Sequence, residues 1–240
     1  MSIAHLLDAI WAIAILGGVP IQSLATRQTL EQQHPTRLQI YASAVTTLAI
    51  LAGVTLGVDL SGARQGLAAF GRALPPATVA LWAAITFIVG AALWFGFLLL
   101  QKLRRDIADP RIVAILPFTA LERFLWIGVS IAAGIAEEYV YRGFCFSYLS
   151  ASTGSIAAAG VLVTIGFGLA HAYQGRAATV KAGVLGAVLL MPVLVTGALL
   201  PSIIAHAAID VLSGLTMRNL LLRWNLIQFG EWIGERDERP

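Results

Sequence analysis

An all-α integral membrane protein, a polytopic bundle of about seven (six to eight) transmembrane helices, is what this sequence predicts. Three observations predict it. Hydrophobic residues make up 58% of the 240 and charged residues only 12%, against ~25% charged in soluble domains. The apolar residues gather into runs near the ~20 that one crossing needs. Between the runs stand breaker-rich segments such as QQHPTR, SGARQG, RALPPAT and QKLRRDIADPR.

The first run, MSIAHLLDAIWAIAILGG, lacks the basic start of a signal peptide and carries Asp8 among its apolar residues. A retained helix over 4–22 is expected. Further helices are expected over 39–58, 78–100, 123–148, 155–173, 178–196 and 199–220. RIVAILPFTAL at 111–121 is too short to span and reads as an interfacial or re-entrant helix. The tail, RWNLIQFGEWIGERDERP, alternates aromatic and charged residues and reads as interfacial. The chain thus divides into N-terminal helices with an Arg-rich loop (1–119), a core (120–218) and a tail (219–240).

Numbering the loops alternately places Arg27, Arg37, Lys102, Arg104, Arg105, Arg111, Arg123, Arg176, Lys181, Arg218, Arg223, Arg236 and Arg239 on one side. Only Arg64 and Arg72 fall on the other. The basic side is expected in the cytoplasm, with the N-terminus outside. The net charge of +3 therefore belongs to short loops, and a nucleic-acid partner is excluded. The single cysteine, Cys145, excludes an internal disulfide.

Ionisable groups inside apolar runs cost on the order of 2.5–3.5 kcal/mol each, which makes them functional candidates. This chain has Asp8, Glu137, Glu138, Arg142, His171, His206 and Asp210. Glu138 and Arg142, four apart, share a helical face and suit an ion pair, whereas Glu137 lies about 100° away, without that partner. His206 and Asp210 also share a face, with Ser202 and Gly214 a turn to either side. Gly134, Gly166 and Gly168 thin their helices for close packing. Carboxylates with histidines suit hydrolysis, since a carboxylate takes a proton from water and imidazole assists it. The oxyanion that forms needs donors.

EEYVYR at 137–142 fits EExxxR, FGLAH at 167–171 fits FxxxH, and HAAID at 206–210 fits Hxxx followed by Asn or Asp. In that order, over 120–218, they resemble the CAAX prenyl endopeptidase and bacteriocin-processing (CPBP) family of intramembrane glutamate-dependent proteases. The resemblance implies that Glu137 is the catalytic glutamate, with His171 helping to activate water. It implies that His206 and position 210 stabilise the oxyanion, and that Glu138, Arg142 and Phe167 support the site. Asp stands at 210 where Asn would donate. Asp210 could be protonated and donate, could orient His206, or could join Glu137, His171 and His206 as ligands of a zinc ion. Otherwise no cofactor is implied. HExxH and GxGD motifs are absent, and SGAR at 61–64 has no paired histidine.

The implied activity is endopeptidase cleavage of a membrane-associated protein or peptide, lipidated or a leader peptide, at the lipid bilayer. The alternatives are a catalytically silent scaffold or immunity-type protein and a proton-coupled transporter. The compact chain, with no organelle-type targeting segment, reads as bacterial and as resident in the cell membrane. One expectation concerns depth. Glu137 lies ~21 Å beyond a helix start near Arg123, and His171 near the far end of the next helix. A break near Arg142–Gly143 is expected to bring them level.

Overall fold

In the computed structural model, residues 2–62 and 64–227 are described. Their regular structure is helical throughout. The elements are α1 (Ile3–Gln33), α2 (Arg37–Ser61), α3 (Gln65–Phe70), α4 (Pro76–Arg104), α5 (Pro110–Ile115), α6 (Ala120–Thr153), α7 (Ile156–Ala170), α8 (Arg176–Thr196) and α9 (Leu200–Arg223). All but α3, α5 and α7 are long and apolar enough to cross a membrane. Its 15 residues give α7 only ~22 Å, short of the ~30 Å of a bilayer core, so six of the about seven expected helices are long enough to cross among the described residues. The chain is a multi-pass membrane protein.

Large apolar side chains face outward, as with Ile13, Leu103 and Phe124. Asp8, Asp59, Glu138, Arg142 and His206 are buried. That distribution suits lipid outside and polar pairing inside. Small residues let the helices approach. A Cβ on Gly134 of α6 would lie 2.9 Å from the Ile203 carbonyl oxygen of α9. One on Gly168 of α7 would lie 3.0 Å from the Thr179 carbonyl oxygen of α8.

Helix starts follow their caps. Thr36 with Gln39 and Thr119 with Glu122 form reciprocal capping boxes at α2 and α6. The first helix passes through Pro20 and continues eleven residues past its expected end, along a polar segment to Gln33. Pro20 follows a widened π-helical turn at Ala14–Gly18, where the regular bonding pattern has already changed. Residues 65–70, expected as a loop, form α3. The Asp59 carboxylate accepts from its Gly66 and Leu67 amides at 3.3 and 2.7 Å. The short 111–121 element is realised as α5. Residues 228–240 of the tail, with Arg236 and Arg239, lie outside the described residues.

Basic loop residues converge at one end. Arg111 pairs with Asp109 and Glu31, Arg27 with Glu31, and Arg37 with Glu122. Arg37 and Arg218 flank the Phe118 ring, and Lys102 lies over Trp224. At the same end, the α7–α8 turn places Gly175 against Asp109 and Arg111. Arg72 packs instead beside Gly197, after α8.

Candidate active site

Glu137 and Glu138 stand where α6 changes its winding. Residues Ala120–Glu137 are α-helical, Glu138–Cys145 form a π-helical stretch, and Phe146–Thr153 return to α. No break occurs at Arg142–Gly143, contrary to expectation. The helix widens there and continues. All eight π-helical residues are buried. Gly143 allows close contact with α3, since a Cβ there would lie 3.5 Å from the Gly66 Cα.

The depth difficulty also disappears, for a reason of register. The α6–α7 hairpin turns at Gly154, in the left-handed conformation with φ +66°. Thr153 is sixteen residues after Glu137, and His171 is fifteen after Ile156. Both side chains therefore lie about 23 Å from the turn at 1.5 Å per residue. The helices run longer and shorter than expected, and the two residues meet.

Glu138 is the dry member of the pair. Arg142 Nη1 donates to its Oε1 at 3.0 Å, the pairing that their four-residue spacing predicts. His206 Nδ1 lies 2.8 Å from the same oxygen. Glu138 and Arg142 side chains are wholly buried. Arg142 Nη2 also donates to the Gly186 carbonyl oxygen at 3.0 Å, and its guanidinium lies 4.1 Å from the Phe167 ring centroid. Asp210, which could orient His206 by its spacing, has its Oδ2 3.5 Å from Nε2, and the ring has a second partner, Glu138, at Nδ1.

Glu137 is wetter, with 18% of its side chain exposed, and its Oε2 has no hydrogen-bond partner. That oxygen lies 4.0 Å from His171 Nε2 and 3.8 Å from His206 Nε2. His171 caps α7, and its Nδ1 lies 2.8 Å from the Phe167 carbonyl oxygen. A carbonyl only accepts, so Nδ1 carries the proton and neutral His171 presents a lone pair at Nε2. By the same reasoning the Glu138 carboxylate fixes a proton on His206 Nδ1. Nε2 of His206 then accepts when neutral and donates as the imidazolium. Phe167 sits among these groups, its ring centroid 4.7 Å from that of His171, 5.9 Å from His206 and 5.2 Å from Tyr141.

Glu137, His171, His206 and Asp210 line one cavity of about 750 Å³. Its walls include Gln22, Ser23, Thr26 and Gln33 of α1 and Gln39, Ser43 and Thr47 of α2. These uncharged polar residues escaped a reading tuned to ionisable groups. Ser23 Oγ accepts from the Tyr173 amide at 2.8 Å, tying α1 to the turn after His171. Asp8 lies elsewhere, against Gly62, near Asp59 and the Tyr139 hydroxyl that donates to Asp59. The proposed zinc ligands do not form a metal-binding cluster. Among the described residues no group of three or more His, Cys, Asp or Glu is placed to hold an ion.

Residues 119–212 match a family model described as Rce1-like, type II CAAX prenyl endopeptidase. Searches against curated proteins and against solved structures return no match. The matched segment carries Glu137, Glu138, Arg142, Phe167, His171, His206 and Asp210 together. Over residues 119–212 this multi-pass membrane protein is similar to the type II CAAX prenyl endopeptidases that the Rce1-like model describes.

Proposed function

We propose that this chain is an intramembrane endopeptidase in which Glu137 activates water against a peptide bond of a membrane-associated protein or peptide. The observation that carries the reading is the 4.0 Å gap between Glu137 Oε2 and His171 Nε2 at the cavity. It is too long for a direct hydrogen bond. One water ~2.8 Å from each acceptor would make an angle of roughly 90° to them. Such a water donates both its hydrogens and turns its lone pairs toward the cavity.

The water oxygen attacks the carbonyl carbon as Glu137 takes its proton. The carbonyl π electrons move onto oxygen. Collapse of the tetrahedral intermediate breaks the C–N bond, and Glu137 returns the proton to the departing amine. His206, as the imidazolium, donates to the oxyanion through Nε2. Asp210 holds that ring from the cavity side, and Arg142 with Glu138 fixes it from behind. The polar walls of α1 and α2 offer hydrogen bonds to an extended substrate backbone. The basic end near the site would face the cytoplasm, and the cell membrane is the proposed location. Leader peptides and lipidated peptides are the proposed substrate class.

The test is cleavage of a membrane-anchored peptide library by purified protein in liposomes. Glu137→Gln should lower kcat by about 10²–10⁴-fold, with folding unchanged. Chelator should leave wild-type cleavage intact. Cleavage lost to chelator and restored by zinc would replace this mechanism with a metal-dependent one. A wild-type rate no higher than that of Glu137→Gln would favour a silent scaffold.

A further inference from the structure

Tyr141 is a buried group of the cavity that this scheme leaves without work. It lies on the π-helical stretch, four residues after Glu137, and lines the same cavity. The residue is 2% exposed, and its hydroxyl is a buried polar atom with no hydrogen-bond partner. A buried hydroxyl left unpaired costs ~1–3 kcal/mol, and such exceptions call for a reason. Its ring packs edge-on against Phe167 at 5.2 Å between centroids, beside the rings of His171 and His206 on the same phenylalanine.

The chemistry of the cluster supplies the reason. Glu137, Asp210 and neutral His171 all present acceptors to the cavity, whereas a developing oxyanion needs donors. His206 donates through Nε2 only as the imidazolium. Asp210, when ionised, opposes negative charge where an asparagine would have donated. Lys181 also lines the cavity, but no hydrogen bond or ion pair joins it to the four residues. A phenol donates without being charged.

We infer, on the endopeptidase reading above, that Tyr141 is a catalytic residue whose O–H donates to the carbonyl oxygen of the scissile bond. The bond tightens as that oxygen gains charge. No proton moves from the phenol. The hydroxyl stays unpaired in the resting protein because its partner arrives with the substrate.

Tyr141→Phe removes only the hydroxyl. Loss of one oxyanion donor lowers kcat ~10²–10³-fold, and KM should stay within about twofold because the ground-state carbonyl is held weakly. A peptidyl trifluoromethyl ketone, whose hydrate mimics the tetrahedral intermediate, should lose affinity by a similar factor. A non-cleavable substrate-like peptide should bind as before. Replacing Tyr141 by p-aminophenylalanine, which restores a donor on the same ring, should recover most of the rate and serves if Tyr141→Phe folds poorly. A kcat within twofold of wild type in Tyr141→Phe would overturn the assignment. So would equal weakening of both ligands, or no recovery with p-aminophenylalanine. A rate that responds to Glu137→Gln but not to Tyr141→Phe removes this assignment alone. A rate unresponsive to Glu137→Gln removes the endopeptidase reading and this assignment with it.

Discussion

Glu138→Ala tests whether the buried Arg142–Glu138–His206 array holds the core together. Glu138 Oε1 accepts from Arg142 at 3.0 Å and is 2.8 Å from His206 Nδ1, with neither Glu138 nor Arg142 exposed. Removing the carboxylate leaves the guanidinium buried with the Gly186 carbonyl and the Phe167 face. Those contacts exist in both proteins and do not offset the loss. Breaking a buried pair from one side costs ~3–5 kcal/mol. At about 2–4 °C per kcal/mol for a chain of this size, the unfolding temperature should fall by roughly 6–20 °C. Cys145 is the only cysteine and is fully buried, so its labelling by a maleimide dye during a temperature ramp reports unfolding directly. The double variant Glu138→Ala/Arg142→Met removes the stranded charge as well. It should recover at least ~2 kcal/mol relative to the single variant, a coupling expected only of groups in contact. A double variant no more stable than Glu138→Ala would refute the claim that an unpaired guanidinium is the cost.

Two further outcomes follow from the packing and the loops. Gly168→Ala places a Cβ 3.0 Å from the Thr179 carbonyl oxygen and 3.2 Å from the Gly183 Cα, backbone atoms that cannot swing aside. It should destabilise by ~1–3 kcal/mol and, by displacing His171, lower kcat by up to about 10²-fold. Gly96→Ala, with nothing within 4 Å, should do neither, and the same labelling and cleavage assays check both. At the basic end, burial pushes the Asp109 carboxyl up, but the Arg111 side-chain and backbone hydrogen bonds and the Arg111 and Arg27 charges bring it below its ordinary 3.8. A lowered carboxylate stabilises fully above the ordinary value and stops doing so as pH falls through the lowered one. The 105–118 segment should therefore be insensitive to pH between 5 and 8. Asp109→Asn, which mimics the protonated form at pH 7, should speed its amide hydrogen exchange about fivefold, equivalent to ~1 kcal/mol.

Chemistry was more legible in the sequence than winding was. Polar residues at four-residue spacing announced the Glu138–Arg142 pair, because an i, i+4 contact needs only one helix. The convergence of Glu137, His171 and His206 was expected from motif order but not from depth. Depth depends on where the α6–α7 hairpin turns, and the Ser150–Ser155 region could be cut several residues either way. The π-helical stretch left no mark, since Tyr139–Cys145 fits an α-helix equally well by residue type. α3 was missed because its amide cap is Asp59, six residues before the helix begins. The extension of α1 to Gln33 was missed for a related reason. An apolar-length criterion stops at Ile21, yet the polar residues beyond it form a cavity wall. The nearness of His206 and Asp210 was legible from their four-residue spacing, whereas the second partner of His206, Glu138, is 68 residues away and was not.

Glu137 and Glu138 are adjacent, chemically identical side chains, and their surroundings give them different work. Glu138 is fully enclosed, with a guanidinium and an imidazole crowded onto one oxygen. In that setting a charge persists only because it is paired, and although its Oε2 has no partner, Glu138 does not line the cavity where water enters. Glu137 faces the cavity with an unpaired oxygen and two imidazole edges at about 4 Å. The histidines divide in the same way. Both have Nδ1 occupied, His171 by a neutral carbonyl and His206 by a carboxylate, so both aim Nε2 at the same space with different capacity to carry charge. Adjacent helical residues lie about 100° apart, which puts Glu138 in the core and Glu137 at the cavity, and the widening of α6 begins between them. Restoring an ordinary α-helical register there, by deleting one residue between Tyr139 and Cys145, should abolish cleavage even with every named site residue still present.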